Sequence, residues 1–180
     1  MLQITVPAGE FFNNATQEFI YTKEQELKLE HSLVSISKWE SKYKLPFLGR
    51  QEKTPQEMTD YIKFMTITQN VDPNVYLLLN QKHVEQIVKY INDPMTATTI
   101  RKVQKNGNNR TFVSSELIYY WMFSYNIPIE CQKWHLNRLL TLIEIFNSNN
   151  NTEDKMSEDE LVDAYAKRNA EMRAKYQSKG

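Results

Sequence analysis

The chain has 180 residues, 41% of them hydrophobic and 24% charged, a globular composition that fits one domain, or one domain plus an appendage, with enough length to bury a core without staples. Lys plus Arg and Asp plus Glu both total 22, so the net charge is zero; that balance argues against a nucleic-acid binder, which needs basic excess to neutralise phosphates, and no basic amphipathic face marks a membrane-surface protein. No run approaches ~18 consecutive apolar residues, so no transmembrane helix is expected, and Met1–Pro7 lacks the basic start and apolar stretch of a signal peptide.

Residues 1–32 read as a small β element. Leu2–Val6, Glu18–Thr22 and Leu27–His31 each alternate apolar and polar residues, the period of a strand with one face covered. Ala8-Gly9 and Asn13-Asn14 are turn candidates between them. A lone hairpin is marginal in water, so these strands must pack on helices or on another chain.

From Ser32 the period becomes helical. Ile36, Trp39 and Tyr43 recur at helix spacing, and Pro46 ends the segment. Thr54-Pro55-Gln56-Glu57 is a helix start: a capping hydroxyl, a proline for the first turn, and an acid at the capping-box position. Met58, Tyr61, Ile62 and Met65 mark the apolar face that follows. Asp72-Pro73 repeats the device before a short helix through Val75 to Leu79. Asn80 caps the next helix, whose stripe is Val84, Ile87, Val88 and Ile91, and Asn92-Asp93-Pro94 stops it.

Thr98–Val103 is β-prone, Asn106-Gly107 is a turn signal, and Arg110–Val113 pairs back in a β-hairpin or forms an ordered loop. Arg101, Lys102, Lys105 and Arg110 make a basic patch here that could touch nucleic acid, with Phe112 to stack; a solvated tip is the favoured reading because the rest of the chain lends it no supporting charge.

Ser114 or Ser115 opens a strongly apolar helix with Leu117, Ile118, Trp121, Met122 and Tyr125 at the i, i+3, i+4 spacing. Pro128 breaks it and starts another, carrying Trp134, Leu136, Leu139, Leu140, Ile143 and Phe146. These two helices and their joint are the expected core. Asn147–Asn151 reads as a polar linker, and Ser157-Glu158-Asp159-Glu160 as the capped start of a last, sparsely apolar helix. The expected fold is mainly α, a helical domain of roughly five to seven helices with a small N-terminal β element, divided into residues 1–32, 33–147 and 148–180.

Candidate chemistry is thin. His31, His83 and His135 fall in separate segments, and no His-x-x-x-His or Cys-x-x-Cys spacing supports zinc, so no metal is expected. The single cysteine, Cys131, excludes an internal disulfide and leaves both a reducing compartment and a short-lived extracellular role open. Cys131 and His135, four positions apart on one predicted helix face, could bind a metal or activate a thiolate; a packed cysteine beside a polar-edge histidine is the favoured reading. Four glycines in the chain, none in a rich loop, argue against a nucleotide cradle, and no cofactor is expected. Glu116 and Glu130 sit in predicted first turns, where the helix dipole stabilises acids, which is favoured over paired catalysis. No set of residues makes a catalytic site.

Aromatic crowding carries more information. Tyr119, Tyr120, Trp121, Phe123 and Tyr125 lie on one helix, and a single core-facing stripe uses only part of its circumference. Tyr120 and Phe123 or Tyr119 must then face another element, another chain or water, and such rings favour interfaces. With Trp134, these are the candidate partner-binding residues.

Ser114–Met122, Asn126-Ile127-Pro128, Glu130–Ile143, Ile36–Glu40 and Asp93–Ala97 together resemble small proteins encoded in the structural gene clusters of tailed bacteriophages, most closely the tail assembly chaperones of long-tailed phages. The resemblance spans about residues 34–175. It implies a late protein of virion morphogenesis in the host cytoplasm. Such chaperones are not enzymes; they bind the tape measure protein, a long helical chain with exposed apolar surface, and leave once tail subunits have polymerised around it. The alternative is a structural virion component, a connector or adaptor whose N-terminal strands pair with a neighbouring subunit to make a homo-oligomeric ring. A Cys131-dependent enzyme is the least supported reading, for want of site motifs.

Overall fold

The computed structural model describes residues 1–13, 17–49, 52–98 and 113–151. Four strands open the chain: β1 (Leu2–Val6), β2 (Gly9–Asn13), β3 (Glu18–Thr22) and β4 (Gln25–Leu29). β1 pairs antiparallel with β4 and β2 with β3, in one common register that runs from Leu2 opposite Leu29, through Gly9 opposite Thr22, to Asn13 opposite Glu18. They are the two halves of one long hairpin, interrupted at Pro7-Ala8, where proline has no N–H to give the ladder. Gly9 and Asn13, expected in turns, are the two ends of the strand β2 that alternation alone had not revealed.

The proximal half is fastened to the body of the protein. Ile4, Val6, Leu27 and Leu29 are buried while their neighbours along the strands face out, the alternation the sequence carries. Chain 65–68 then runs along the free edge of β4: Glu30 N–H donates to the Met65 carbonyl at 2.9 Å and Ile67 N–H to the Lys28 carbonyl at 2.8 Å. That pairing satisfies the backbone groups an edge strand otherwise leaves open.

Five α-helices are described: α1 (Leu33–Tyr43), α2 (Pro55–Met65), α3 (Gln81–Ile91), α4 (Ser115–Ser124) and α5 (Leu136–Asn151). The fold is therefore mainly α with a minor N-terminal β element. Thr54 and Asn80 carry the caps expected of them, and Ser32, for which no cap was expected, makes one too. Ser32 with Ser35, Thr54 with Glu57 and Asn80 with His83 form reciprocal capping boxes. α1 stops at Lys44, which takes a left-handed conformation at φ 57° and donates its N–H to the Glu40 carbonyl.

α1 is the centre of the core and packs against both α2 and α4. Leu33, Ile36 and Trp39 are fully buried. Trp39 Nε1 donates to the Glu57 carbonyl at 3.0 Å, so its one polar atom is satisfied inside. Phe47 stands edge-on to Trp39 at 5.2 Å and against Tyr61 at 4.1 Å between ring centroids. The segments flanking Pro128, expected as the core, share that role with α1. They contribute Ile118, Met122, Leu136, Leu139 and Ile143, but the hub is the Trp39 helix.

Other expectations shift in detail. The Asp72-Pro73 device starts a 3₁₀ helix, Pro73–Leu78, not an α-helix. On α3, Val88 is exposed, and Tyr90 with Ile87 faces inward. Pro128 is followed by a 3₁₀ helix, Ile129–Lys133; Trp134 and His135 lie between it and α5, so the single helix expected from Pro128 through Trp134 to Phe146 is two. Cys131 and His135 consequently share no helix face. Asn147–Asn151, read as a linker, continues α5. The chain divides into a compact unit, Met1–Glu144, and a second that begins at Ile145. Thr98 lies at the edge of the described residues; the hairpin and basic patch expected beyond it at 99–112, and the last helix from Ser157, lie outside them.

Candidate partner-binding face

α4 is held from its first residue. Ser114 caps it by accepting the Leu117 N–H. The N–H of Ser115 is taken by Oε2 of Glu40 at 2.7 Å, while Oε1 of the same carboxylate accepts the Phe47 N–H at 2.7 Å. Glu40 is buried, so one carboxylate on α1 satisfies the turn after α1 and an orphan N–H of α4. In the sequence Glu40 looks like an ordinary solvated acid. The N–H of Glu116 itself, followed by Ser114, holds the Glu116 carboxyl below its usual range, which fits the first-turn reading.

Ile118 and Met122 are fully buried on the inner side of α4. At the far end Ile127 N–H returns to the Met122 carbonyl at 2.8 Å, and Asn126 supplies the left-handed residue at φ 52°. The outer side belongs to Tyr120 and Phe123, each 64% exposed. Three positions apart on a helix, they are neighbours on one face. Of the other candidates, Tyr119 is half-buried and donates from its hydroxyl to Gln132 Oε1 at 2.8 Å, tying α4 to the 3₁₀ helix. Trp121 and Tyr125 are half-buried. Trp134 stands in the link before α5 with the Arg138 guanidinium 4.4 Å above its ring, a cation–π contact that covers one side. The expected six residues thus separate into an open pair, three helix residues that face partly inward, and one ring on a different element.

Sequence reasoning missed the cluster around His31 and His135. His31 and His135 meet edge to face, and the N–H of Leu136 donates to the His31 carbonyl at 2.7 Å. Ser32 and His135 form an isolated antiparallel bridge. His135 Nδ1 accepts the Asn137 N–H at 3.3 Å, so the histidine caps α5; Nε2 then carries the proton and donates to the Tyr90 carbonyl at 3.0 Å. His31 Nδ1 lies 2.5 Å from the Tyr61 hydroxyl, which is also 3.3 Å from Ser35 Oγ. Burial, then the neighbouring His135 and Lys53, push the His31 imidazole down to about 3. Burial lowers His135 too, against the Tyr90 carbonyl that supports its charged form. No spacing signal could have paired these two residues.

Two open clefts border these parts. One, of about 630 Å³, lies along the C-terminal half of α1 and is lined by Ser37, Glu40, Ser41, Lys44, Leu45, Pro46, Ser114 and Glu116. The other, of about 290 Å³, is lined by Glu30, Met95, Lys133, Trp134, His135 and Arg138 with Met1. Cys131 is buried, and desolvation followed by Glu130 raises its thiol, the opposite of an activated nucleophile. Among the described residues, no three of His, Cys, Asp and Glu are grouped to hold a metal ion. No helix among them is long and apolar enough to cross a membrane.

Comparison of the chain with protein-family models, with curated proteins and with solved structures finds no match.

Proposed function

We propose that this protein is a tail assembly chaperone of a long-tailed bacteriophage and that it binds the tape measure protein in the host cytoplasm. The observation that carries the reading is the open aromatic pair on α4: Tyr120 and Phe123 present 64% of their surface on a helix whose opposite side is core. A chaperone of this kind needs apolar surface that recognises apolar helix faces without chemistry. Large, stiff aromatic rings supply it at little conformational cost. The sequence resemblance over residues 34–175 points the same way.

Co-purification with the tape measure protein tests this. The intact chain is expected to hold it in solution, and Tyr120→Ala with Phe123→Ala to release it. A well-folded wild-type protein that fails to bind, or a double variant that binds equally well, overturns the reading.

The distal hairpin favours a second reading, a ring-forming connector. β2 and β3 form a sheet of two strands, so each has an outer edge on which a neighbouring subunit could add a strand. Mass spectrometry of purified virions separates the two: a connector is retained and a chaperone is absent.

A further inference from the structure

The distal hairpin has two unlike faces. Gly9 and Thr22 form a cross-strand pair at its base, with the Thr22 hydroxyl donating to the Gly9 carbonyl at 3.3 Å. A Cβ on Gly9 would stand 3.0 Å from Leu78 Cδ1, so this face sits directly against the 3₁₀ helix Pro73–Leu78. The opposite face holds the pairs Glu10 with Tyr21 and Phe12 with Phe19. It is open: Phe12, Phe19 and Tyr21 are 43%, 58% and 71% exposed. Phe12 and Phe19 stand edge to face at 5.1 Å, which fixes both rings before any partner arrives.

Charge decides what fits. Residues 1–24 carry three acidic side chains, Glu10, Glu18 and Glu24, against one cation, Lys23, which follows the end of β3. Glu10 lies on the aromatic face, directly opposite Tyr21. Nucleic acids and anionic lipid surfaces are repelled by such a face. A second copy would bring the same net acidic surface and no complementary charge excess. A cation is favoured twice, by the negative ring faces and by the carboxylate beside them.

We infer that the outer face of the β2–β3 hairpin docks a basic peptide segment of another protein, with an Arg or Lys side chain lying over Phe19 and Tyr21 and pairing with Glu10, and neighbouring apolar residues packing on Phe12. This surface is separate from the α4 pair, so it stands or falls independently of the chaperone reading.

The probe is a synthetic peptide of alternating Arg and Leu, titrated into the isotope-labelled full chain and followed by amide resonances. Shifts are expected at residues 9–13 and 18–22, and they weaken as salt rises. Phe19→Ala and Tyr21→Ala each weaken binding about three- to fivefold, the scale of one exposed cation–π contact. Glu10→Gln weakens it by about two- to fivefold, while Glu85→Gln on α3 leaves it unchanged. All four positions are exposed, so the variants keep the wild-type circular dichroism spectrum. Three outcomes overturn the inference. One is the absence of shifts in the hairpin. Another is equal weakening by Glu85→Gln, which marks general attraction between charges. The last is concentration-dependent shifts of the same resonances without peptide, which assign the face to a second copy.

Discussion

The imidazoles of His31 and His135 meet edge to face with ring centroids 5.1 Å apart. One follows β4 and the other caps α5, so this contact fastens the hairpin to the C-terminal part of the first unit. Each ring is bound in its neutral form. His135 accepts an amide proton at Nδ1 and donates at Nε2. His31 offers Nδ1 to the Tyr61 hydroxyl, and Tyr61 is itself held protonated by burial.

Acid should therefore unfold the protein earlier than its carboxylates alone require. The His31 imidazole falls from 6.5 to about 3 on folding, and His135 is lowered as well. Between these values the unfolded chain binds protons that the folded chain refuses. Stability is full above about pH 6.5 and declines as pH falls towards 3, by about 1.4 kcal/mol per pH unit for the His31 imidazole, with the lowered His135 adding in the same direction. Urea denaturation at stepped pH checks this. His31→Gln should flatten the decline by about one proton; an unchanged slope would show that His31 titrates normally.

Glu40 should be costly to replace despite being a charged residue. Glu40→Ala strands the N–H groups of Phe47 and Ser115, a loss of about 2–4 kcal/mol, while Glu40→Gln keeps one acceptor oxygen and loses less. Chemical denaturation ranks the three proteins. Hydrogen exchange should show the first turn of α4 opening before the rest of that helix in Glu40→Gln.

The two sides of α4 should respond oppositely to truncation. Met122→Ala empties a fully buried site and costs about 2–5 kcal/mol. Tyr120→Ala and Phe123→Ala should each change stability by no more than about 0.5 kcal/mol, as exposed positions do. Thermal melts of the three variants decide it. A large loss at Tyr120 or Phe123 would mean that the ring is structural and not part of a binding face.

Asp60 joins α1 to α2 through side chains that can be followed by titration. Its carboxylate accepts from the Tyr43 hydroxyl at 2.6 Å and from Lys42, and that hydrogen bond, followed by burial, pushes the Tyr43 phenol up to about 12. Burial alone would raise the Asp60 carboxyl, but donors from Lys42, Tyr43 and Gln56 hold it well below the usual range. Asp60→Asn should return Tyr43 towards 10, visible as a tyrosinate absorbance transition at lower pH. No change would place the Tyr43 hydroxyl elsewhere in solution.

The sequence by itself determined the mainly α class, the capping box at Thr54, the cap at Asn80, and the inward side of α4. These are local matters: a cap needs a hydroxyl or amide within a turn, and a buried stripe needs a fixed period. The prominence of Tyr120 and Phe123 was legible for the same reason, since a helix packed on one side cannot cover its whole circumference. Only the tertiary structure decided that Trp39 is the hub, that Glu40 reaches Ser115, that His31 meets His135, and that Trp134 lies off the helix. Those depend on which surfaces meet after the chain turns back, and no period in the sequence encodes a contact between segments that far apart.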